Sequence, residues 1–180
     1  MEILVVIDMQ NDFITGALAN DSAKAKVETL ADYIKKYRGD LIIFTRDTHD
    51  AEVYPKTQEG KKLTTPHCIF GTDGWQIENS LWNSAKENKN AKTLVLDKPT
   101  FGYGKGFEYL LAGYDVDMIT KIEVAGTCTD ICVVSNVLAL KELFPEVEIT
   151  VLGYLCAGLT PQKHQAALDV MESCQVNVIR

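Results

Sequence analysis

Residues 122–140 read IEVAGTCTDICVVSNVLAL, and this stretch holds the two periodicities of an α/β fold. Residues 122–125 form a short apolar run of the kind found in strands that are covered on both faces. From Val133 onward the apolar residues recur at helical spacing. The turn at 126–132 joins the two patterns, so the stretch predicts a strand that leads directly into a helix.

The same alternation of short apolar runs and longer helical patterns continues along the chain. Strands are predicted at residues 3–7, 41–45, 93–96, 122–125, 148–152 and 176–179. Helices are predicted at residues 22–37, 129–143 and 161–174, the last with Thr160 as its cap and Pro161 in its first turn. We therefore predict a Rossmann-like, three-layer α/β/α fold, with a six-stranded parallel sheet and helices on both faces. No linker or repeat stands out, so residues 1–180 are predicted to form one domain.

Charge and cysteine content narrow the classes of function. The formal net charge is −7 at pH 7 and the isoelectric point is near 5.0, which argues against a nucleic-acid binder because phosphates attract a basic face. No apolar stretch reaches membrane-spanning length, and the N-terminus MEILVVID lacks the pattern of a secretory signal. The five cysteines are irregularly spaced and are expected to be reduced thiols. We expect a cytoplasmic protein that binds neither nucleic acid nor membranes.

Reactive side chains follow four of the predicted strands. Asp8 closes the first strand, Asp47 and His49 follow the second, Lys98 follows the third, and the turn after the fourth leads to Cys132. Open parallel sheets bind their ligands at the carboxyl ends of the strands. We therefore expect these side chains to meet at one edge of the sheet.

Cys132 is the candidate nucleophile at this edge. The N-terminus of a helix carries a partial positive charge and free N–H groups, which lower the pKa of a cysteine and suit an oxyanion. Asp8 is the candidate base, because poor solvation raises the pKa of a carboxyl group unless a cation such as Lys98 offsets it. Each residue also has a plainer interpretation: a structural thiol, a turn former and a solvated lysine. Their convergence on one edge favours the catalytic interpretation.

A second group of candidates suits a divalent metal. Asp47 and His49 are two residues apart, which in an extended chain places both side chains on one face. His67 and Glu59 lie in the long irregular segment 50–80, and such loops are often functional. Two histidines and two carboxylates are suitable ligands for zinc. The plainer interpretation is a chance grouping of surface residues.

Aromatic residues near these positions are candidates for the wall of a substrate pocket. They are Phe13, Trp75, Phe101 and Tyr103. Each of them alone is better explained as a core residue. His164 is interpreted as a polar-face residue of the last helix and not as a ligand.

Four short motifs occur in a familiar order. They are IDMQNDF at 7–13, TRDTH at 45–49, DK at 97–98 and GTCTDICV at 126–133. In this combination the sequence resembles the isochorismatase-like cysteine hydrolases, most closely their nicotinamidase/pyrazinamidase branch. The likeness spans nearly the whole chain and includes CAGLTP at 156–161.

The resemblance implies a catalytic triad of Asp8, Lys98 and Cys132. It also implies an oxyanion hole formed by the backbone N–H groups of Cys128 and Cys132, and a cis peptide bond between Thr127 and Cys128.

The resemblance further implies a divalent metal, zinc or alternatively manganese or iron, held by Asp47, His49 and His67. Many members have a third histidine in the loop, which this chain lacks. Glu59 resembles the glutamate that replaces that histidine in other members.

The activity implied by the resemblance is hydrolysis of a small-molecule amide through a thioester. The closest match is conversion of nicotinamide to nicotinate and ammonia, a step of pyridine nucleotide salvage. The alternative in the same superfamily is hydrolysis of N-carbamoyl or ureido compounds. A catalytically silent binding protein is a third hypothesis, because a fold does not establish an activity. Members of the family are often homo-oligomers, and the sequence leaves the oligomeric state of this chain open.

Overall fold

A computed structural model describes all 180 residues and contains one six-stranded sheet. Its strands are β1 Glu2–Ile7, β2 Leu41–Asp47, β3 Lys92–Lys98, β4 Lys121–Thr127, β5 Glu148–Ala157 and β6 Asn177–Ile179. Their order across the sheet is β3-β2-β1-β4-β5-β6, and every neighbouring pair is parallel. The predicted parallel sheet is therefore confirmed, with all six predicted strands present.

Eight α-helices connect the strands. They are α1 Asn11–Ile14, α2 Asp21–Lys24, α3 Val27–Lys36, α4 Gln58–Lys62, α5 Asn79–Glu87, α6 Gly104–Leu111, α7 Val134–Leu143 and α8 Pro161–Ser173. Two 3₁₀ turns, at Tyr54–Lys56 and Val116–Met118, and a π-helical turn at Thr129–Val133 complete the ordered elements. The irregular segment 50–80 therefore holds a 3₁₀ turn and α4, and it ends in the first turn of α5.

Helices cover both faces of the sheet, as predicted. Ile3, Val5 and Ile7 of β1 belong to one buried cluster, which also contains residues of α6, α7 and α8. Leu4 and Val6 belong to a second cluster, which contains residues of α3 and α5. Because successive side chains of a strand point to opposite faces, a strand buried on both sides needs an unbroken apolar run. This explains the sequence ILVVI in β1.

The prediction of one helix at 22–37 is wrong in its continuity. The segment forms α2 and α3 with a break at residues 25–26. The side chain of Asn20 caps α2 by accepting the N–H groups of Ser22 and Ala23, which starts this short helix separately. Helix α3 is set by the buried pair Leu30 and Ile34, which share one helical face. The predicted helix at 129–143 likewise begins as the π-helical turn and becomes α-helical only at Val134.

Gly126 of β4 lies directly beside Ile7 of β1. Its φ is +128°, and a Cβ atom there would lie 2.1 Å from the carbonyl oxygen of Ile7. Both observations require glycine, because any side chain would meet the backbone of β1. The chain therefore leaves β4 close beside the point where it leaves β1.

None of the helices combines the length and the apolar character needed to cross a membrane. All five cysteines are free thiols.

Candidate active site

Four strand ends deliver buried polar side chains to the carboxyl edge of the sheet. Asp8 follows β1, Asp47 ends β2, Lys98 ends β3, and the turn after β4 carries Cys132. Asp8 and Lys98 are completely buried, and Asp47 and Cys132 are 2% and 6% exposed. The predicted convergence on this edge is observed.

Lys98 contacts all three of the other side chains in this group. Its Nζ atom lies 2.7 Å from Asp8 Oδ2 and 3.5 Å from Asp47 Oδ1, and it donates to the carbonyl oxygen of Thr100 at 3.2 Å. The same Nζ lies 3.5 Å from Cys132 Sγ. Burial alone would lower the pKa of Lys98, but Asp8, Cys132 and Asp47 outweigh it, and the pKa is raised. Lys98 therefore stays protonated between the carboxylates and the thiol.

Asp8 is held for proton transfer. Its φ of +48° is in the left-handed region, and this conformation is fixed by Thr45. Thr45 Oγ1 donates to Asp8 Oδ1 at 2.6 Å and accepts the Asp8 N–H at 3.1 Å. Burial raises the pKa of Asp8, and Lys98 offsets this rise only in part. The result is a carboxylate that is more basic than an exposed aspartate.

The pKa of Cys132 differs from the sequence-based expectation. A position at a helix N-terminus was expected to lower it, but the pKa is raised well above the ordinary value, first by burial and then by the charge of Asp8. Cys132 lies in the π-helical turn, two residues before the α-helix begins. The resting group is therefore a thiol, and its proton must pass to a neighbouring base before the sulfur can attack.

The turn before Cys132 is positioned to bind an oxyanion. The peptide bond between Thr127 and Cys128 is cis, as the resemblance implied. The N–H group of Cys128 donates to no protein acceptor, and Cys128 lines the same cavity as Cys132. A free N–H at this place is suited to a developing negative charge.

Asp47, His49, Glu59 and His67 form one compact cluster, with the ligand atoms all within 4.8 Å of one another. Asp47 Oδ2 lies 2.9 Å from His49 Nε2 and 3.4 Å from His67 Nε2. Glu59 Oε1 lies 3.7 and 3.6 Å from the same two nitrogens. A tetrahedral zinc site with bonds of about 2.1 Å separates its donor atoms by about 3.4 Å. The observed spacing fits such a site.

The surroundings of this cluster orient its donors. His67 Nδ1 lies 3.1 Å from the carbonyl oxygen of Thr65, which accepts a hydrogen bond from Nδ1–H and turns Nε2 toward Asp47 and Glu59. The buried ring of Tyr54 packs against both histidine rings, at centroid distances of 4.7 Å from His49 and 5.3 Å from His67. Asp47 is ionised, because His49, His67 and Lys98 outweigh its burial and lower its pKa. An ionised carboxylate is the form in which aspartate binds a divalent cation.

One cavity of about 930 Å³ joins the two clusters. It is lined by Cys128 and Cys132 on one side and by Asp47, His49, Glu59 and His67 on the other. Phe13 and Phe101, two of the predicted pocket aromatics, also line it.

The structure does not bring Trp75 and Tyr103 into this cavity. Trp75 lies under the guanidinium group of Arg46, which is 3.5 Å from its ring centroid, and its Nε1 donates to Thr48. Tyr103 precedes α6, and its ring packs against Gly106 and the apolar core. Each ring is therefore held by its packing partner, Arg46 for Trp75 and the α6 residue Gly106 for Tyr103, and does not line the cavity.

Two buried amides in the site were missed by the sequence analysis. Gln10 Nε2 donates to the carbonyl oxygens of Asp47 and Trp75, both at 2.9 Å, and its Oε1 accepts the Asp47 N–H at 2.8 Å. Asn136 Nδ2 donates to the carbonyl oxygens of Phe101 and Cys132, both at 2.8 Å. Both residues are completely buried. Asn136 stands among apolar residues, which was an available signal, whereas Gln10 is followed by Asn11 and Asp12 and gave none. The partners of neither amide could be found from the sequence.

Comparisons with known proteins point to one family. The family model described as isochorismatase domain matches residues 2–180. The nicotinamidase/pyrazinamidase of Mycobacterium tuberculosis is 28% identical over 198 residues, which cover 99% of this chain and 98% of that protein.

Solved structures share the fold over the same length. The pyrazinamidase/nicotinamidase of Streptococcus mutans superposes with a TM-score of 0.79 at 26% identity, covering 99% of this chain and 100% of that one. The pyrazinamidase of Pyrococcus horikoshii, solved in complex with zinc, gives a TM-score of 0.75 at 24% identity, with 99% and 98% covered. The match of the family model over nearly the whole chain establishes that this protein belongs to the isochorismatase family.

Proposed function

We propose that the chain is a cysteine-dependent amidase that hydrolyses nicotinamide to nicotinate and ammonia. The chain is a hydrolase of the isochorismatase family, and its relative in Mycobacterium tuberculosis is named for amide substrates. The single observation that carries the proposal is the shared cavity. A thiol beside a carboxylate and a lysine faces the same space as a cluster of two histidines and two carboxylates.

In the proposed first half-reaction, Asp8 takes the proton of the Cys132 thiol and Sγ attacks the amide carbonyl carbon. The new oxyanion is bound by the backbone N–H groups of Cys128 and Cys132. When the tetrahedral intermediate collapses, the carbon–nitrogen bond breaks and Asp8 returns its proton to the leaving nitrogen. Ammonia and a thioester on Cys132 result.

In the second half-reaction, Asp8 removes a proton from a water molecule that attacks the thioester. The carbon–sulfur bond breaks, Sγ leaves with the proton from Asp8, and the carboxylic acid product is released. Lys98 stays protonated throughout and stabilises the negative charge that moves between Asp8 and Sγ. We place the activity in the cytoplasm, where reducing conditions keep a nucleophilic thiol free.

The proposed metal site consists of Asp47, His49, His67 and Glu59. A bound zinc ion, or manganese or iron, would supply a Lewis-acid contact for the nitrogen of the pyridine ring. The ionised carboxylate of Asp47 and the orientation of His67 Nε2, which points toward it at 3.4 Å, support this assignment. Phe13 lies beside the ring of His67, with centroids 5.7 Å apart, and offers an apolar face to the aromatic substrate.

Hydrolysis of N-carbamoyl or ureido compounds is the second candidate. The same thiol, base and oxyanion hole would attack a carbamoyl carbon. The size of the cavity supports this second candidate, because about 930 Å³ is near the upper end of the range of about 300–1,000 Å³ for small-molecule sites. The site therefore has room for amides larger than nicotinamide.

The decisive experiment measures ammonia release by the purified protein, both as isolated and after loading with zinc or manganese. Nicotinamide, pyrazinamide and N-carbamoylsarcosine are compared at equal concentration. We expect the two ring amides to be hydrolysed faster. Ammonia from N-carbamoylsarcosine alone would replace the first candidate with the second.

The pH profile of kcat/KM should fall on its acidic side, with an inflection at a higher pH than the pKa of an ordinary aspartate. Asp8 must be unprotonated in the free enzyme, and burial raises its pKa above the reference value of about 3.9. The rate therefore falls as pH decreases through this raised pKa, about tenfold per unit below it. Steady-state kinetics from pH 4 to pH 9 measure the inflection, which belongs to the coupled group of Asp8, Lys98 and Cys132. A flat profile down to pH 4 would contradict the role of Asp8.

Replacing the proposed metal ligands one at a time should show how much each contributes to zinc affinity. His67→Ala is expected to weaken zinc binding by about 100-fold or more, since even partners outside the ligand set cost about 10–100-fold. Glu59→Gln should cost less, because Glu59 is the most exposed of the four side chains, at 21%. Zinc content after dialysis and competition with a chelating dye measure both effects. His164→Ala, which removes a histidine outside the cluster, is the matched control and should retain the metal.

A further inference from the structure

The buried amide of Gln10 continues the sheet where β1 has stopped. Strand β1 pairs with β2 only as far as Val6 and Phe44, so the last residue of β2, Asp47, has no strand partner on that side. On its other side Asp47 pairs with Lys98 of β3. The N–H and C=O groups of Asp47 that face the missing strand both bond to the side chain of Gln10. The terminal amide takes the place of a peptide group of β1.

These hydrogen bonds restrict Asp47 more strongly than a single contact would. One rigid amide plane accepts the N–H of Asp47 at 2.8 Å and donates to its carbonyl oxygen at 2.9 Å. With both backbone groups fixed, the direction of the Cα–Cβ bond is fixed as well. Gln10 Nε2 also donates to the carbonyl oxygen of Trp75, in the long segment that carries His67. The same side chain therefore connects the strand ligand Asp47 to the segment that supplies His67 and Glu59.

The orientation of Asp47 affects both the metal cluster and the catalytic group. Its Oδ2 faces His49 and His67, and its Oδ1 lies 3.5 Å from Lys98 Nζ. A small rotation of Asp47 would change the distances in both the metal cluster and the catalytic group. No other carboxylate on this edge is shared in this way.

We infer that Gln10 is a positioning residue for the metal: it holds Asp47 in the orientation in which its carboxylate binds the cation. The inference rests on the proposed metal site. Gln10 itself faces backbone groups and supplies no ligand atom, so its effect on the metal is transmitted through Asp47. Loss of Gln10 should therefore weaken metal binding more than it weakens the fold.

A matched control is available at the opposite end of the sheet. Asn88 precedes β3 and is also a buried amide that bridges backbone groups. Its Nδ2 donates to the carbonyl oxygens of Ile34 and Tyr37, and its Oδ1 accepts the N–H groups of Asn90 and Ala91. Replacing Asn88 leaves a similar number of buried backbone groups without partners, far from the metal cluster.

The experiment compares Gln10→Met and Asn88→Met with the wild-type protein after all metal has been removed. Zinc binding is measured by competition with a chelating dye, and the melting temperature is recorded with and without zinc. We expect both variants to melt earlier than wild type without metal. Gln10→Met should bind zinc about tenfold more weakly or worse, and zinc should raise its melting temperature less, because stabilisation by a ligand depends on affinity. Asn88→Met should bind zinc with wild-type affinity.

Wild-type zinc affinity in Gln10→Met, or an equal loss of affinity in both variants, would overturn the inference and leave the proposed metal site intact. A wild-type protein that binds neither zinc nor manganese would overturn the metal site, and the inference with it. If Gln10→Met does not fold, Gln10→Glu takes its place. That variant keeps an acceptor for the Asp47 N–H but loses both donors, and it should also bind zinc more weakly.

Discussion

Replacing Cys132 with alanine will lower kcat for nicotinamide by at least about 1,000-fold, the scale seen when a covalent nucleophile is removed. The substrate should still bind, because the metal cluster and the aromatic wall of the cavity remain. The change adds little strain, since the Sγ atom is the only heavy atom removed from a buried position. Steady-state rates give the loss in kcat, and equilibrium binding of nicotinamide to the variant shows that the pocket is intact.

A matched thiol elsewhere in the chain makes this test specific. Cys174 is exposed and lies just after α8, outside the cavity. Cys174→Ala should keep full activity, and a thiol reagent should still inactivate this variant as fully as it inactivates the wild-type protein. A Cys132→Ala protein that hydrolyses nicotinamide at the wild-type rate would rule out the thioester mechanism, whichever amide is the natural substrate.

Replacing Lys98 with methionine should have the largest effect on the stability of the fold. The side chain is completely buried and lies against two carboxylates, Asp8 and Asp47, and the thiol of Cys132. Breaking a buried ion pair by removing one partner costs about 3–5 kcal/mol, because the remaining charge stays desolvated. The free energy of unfolding, measured with urea at pH 7, should fall by this amount.

The double variant Asp8→Asn/Lys98→Met tests the cause of this loss. With both charges removed, much of the stability should return, since no uncompensated charge is left at that position. In the single variant the pKa of Asp8 is raised further, above its value in the unfolded chain. That variant should therefore be destabilised less at acidic pH and more as pH rises through the folded-state pKa. Equal stabilities of the single and double variants would contradict the ion-pair explanation.

The strand ends could be predicted from the sequence because they combine two local signals. An unbroken apolar run marks each central strand, and Asp8, Asp47 and Lys98 are the first polar residues after such runs or close to them. Parallel topology then brings strand ends together without any need to know side-chain contacts. The clusters around Cys132 and His49 followed from this argument and from the resemblance.

The remaining features depend on contacts between distant segments. Gln10 bonds to residues 37 and 65 positions away, so its role is invisible in the local pattern. Trp75 has the composition of a pocket residue, but the position of Arg46 decides where its ring lies. The pKa of Cys132 was predicted in the wrong direction because a helix terminus is a local signal, whereas burial and the charge of Asp8 arise only in the folded chain.

The close approach at Gly126 gives this one missing side chain an influence on the reacting atoms. The base leaves β1 one residue after Ile7, and the nucleophile follows β4 six residues after Gly126, so the two meet from chain positions that are 124 residues apart. A methyl group at Gly126 would meet the backbone of Ile7 and push the central strands apart, which would also move the base relative to the nucleophile. Gly126 takes no part in the chemistry, but its lack of a side chain bears on the distance over which a proton passes from sulfur to carboxylate.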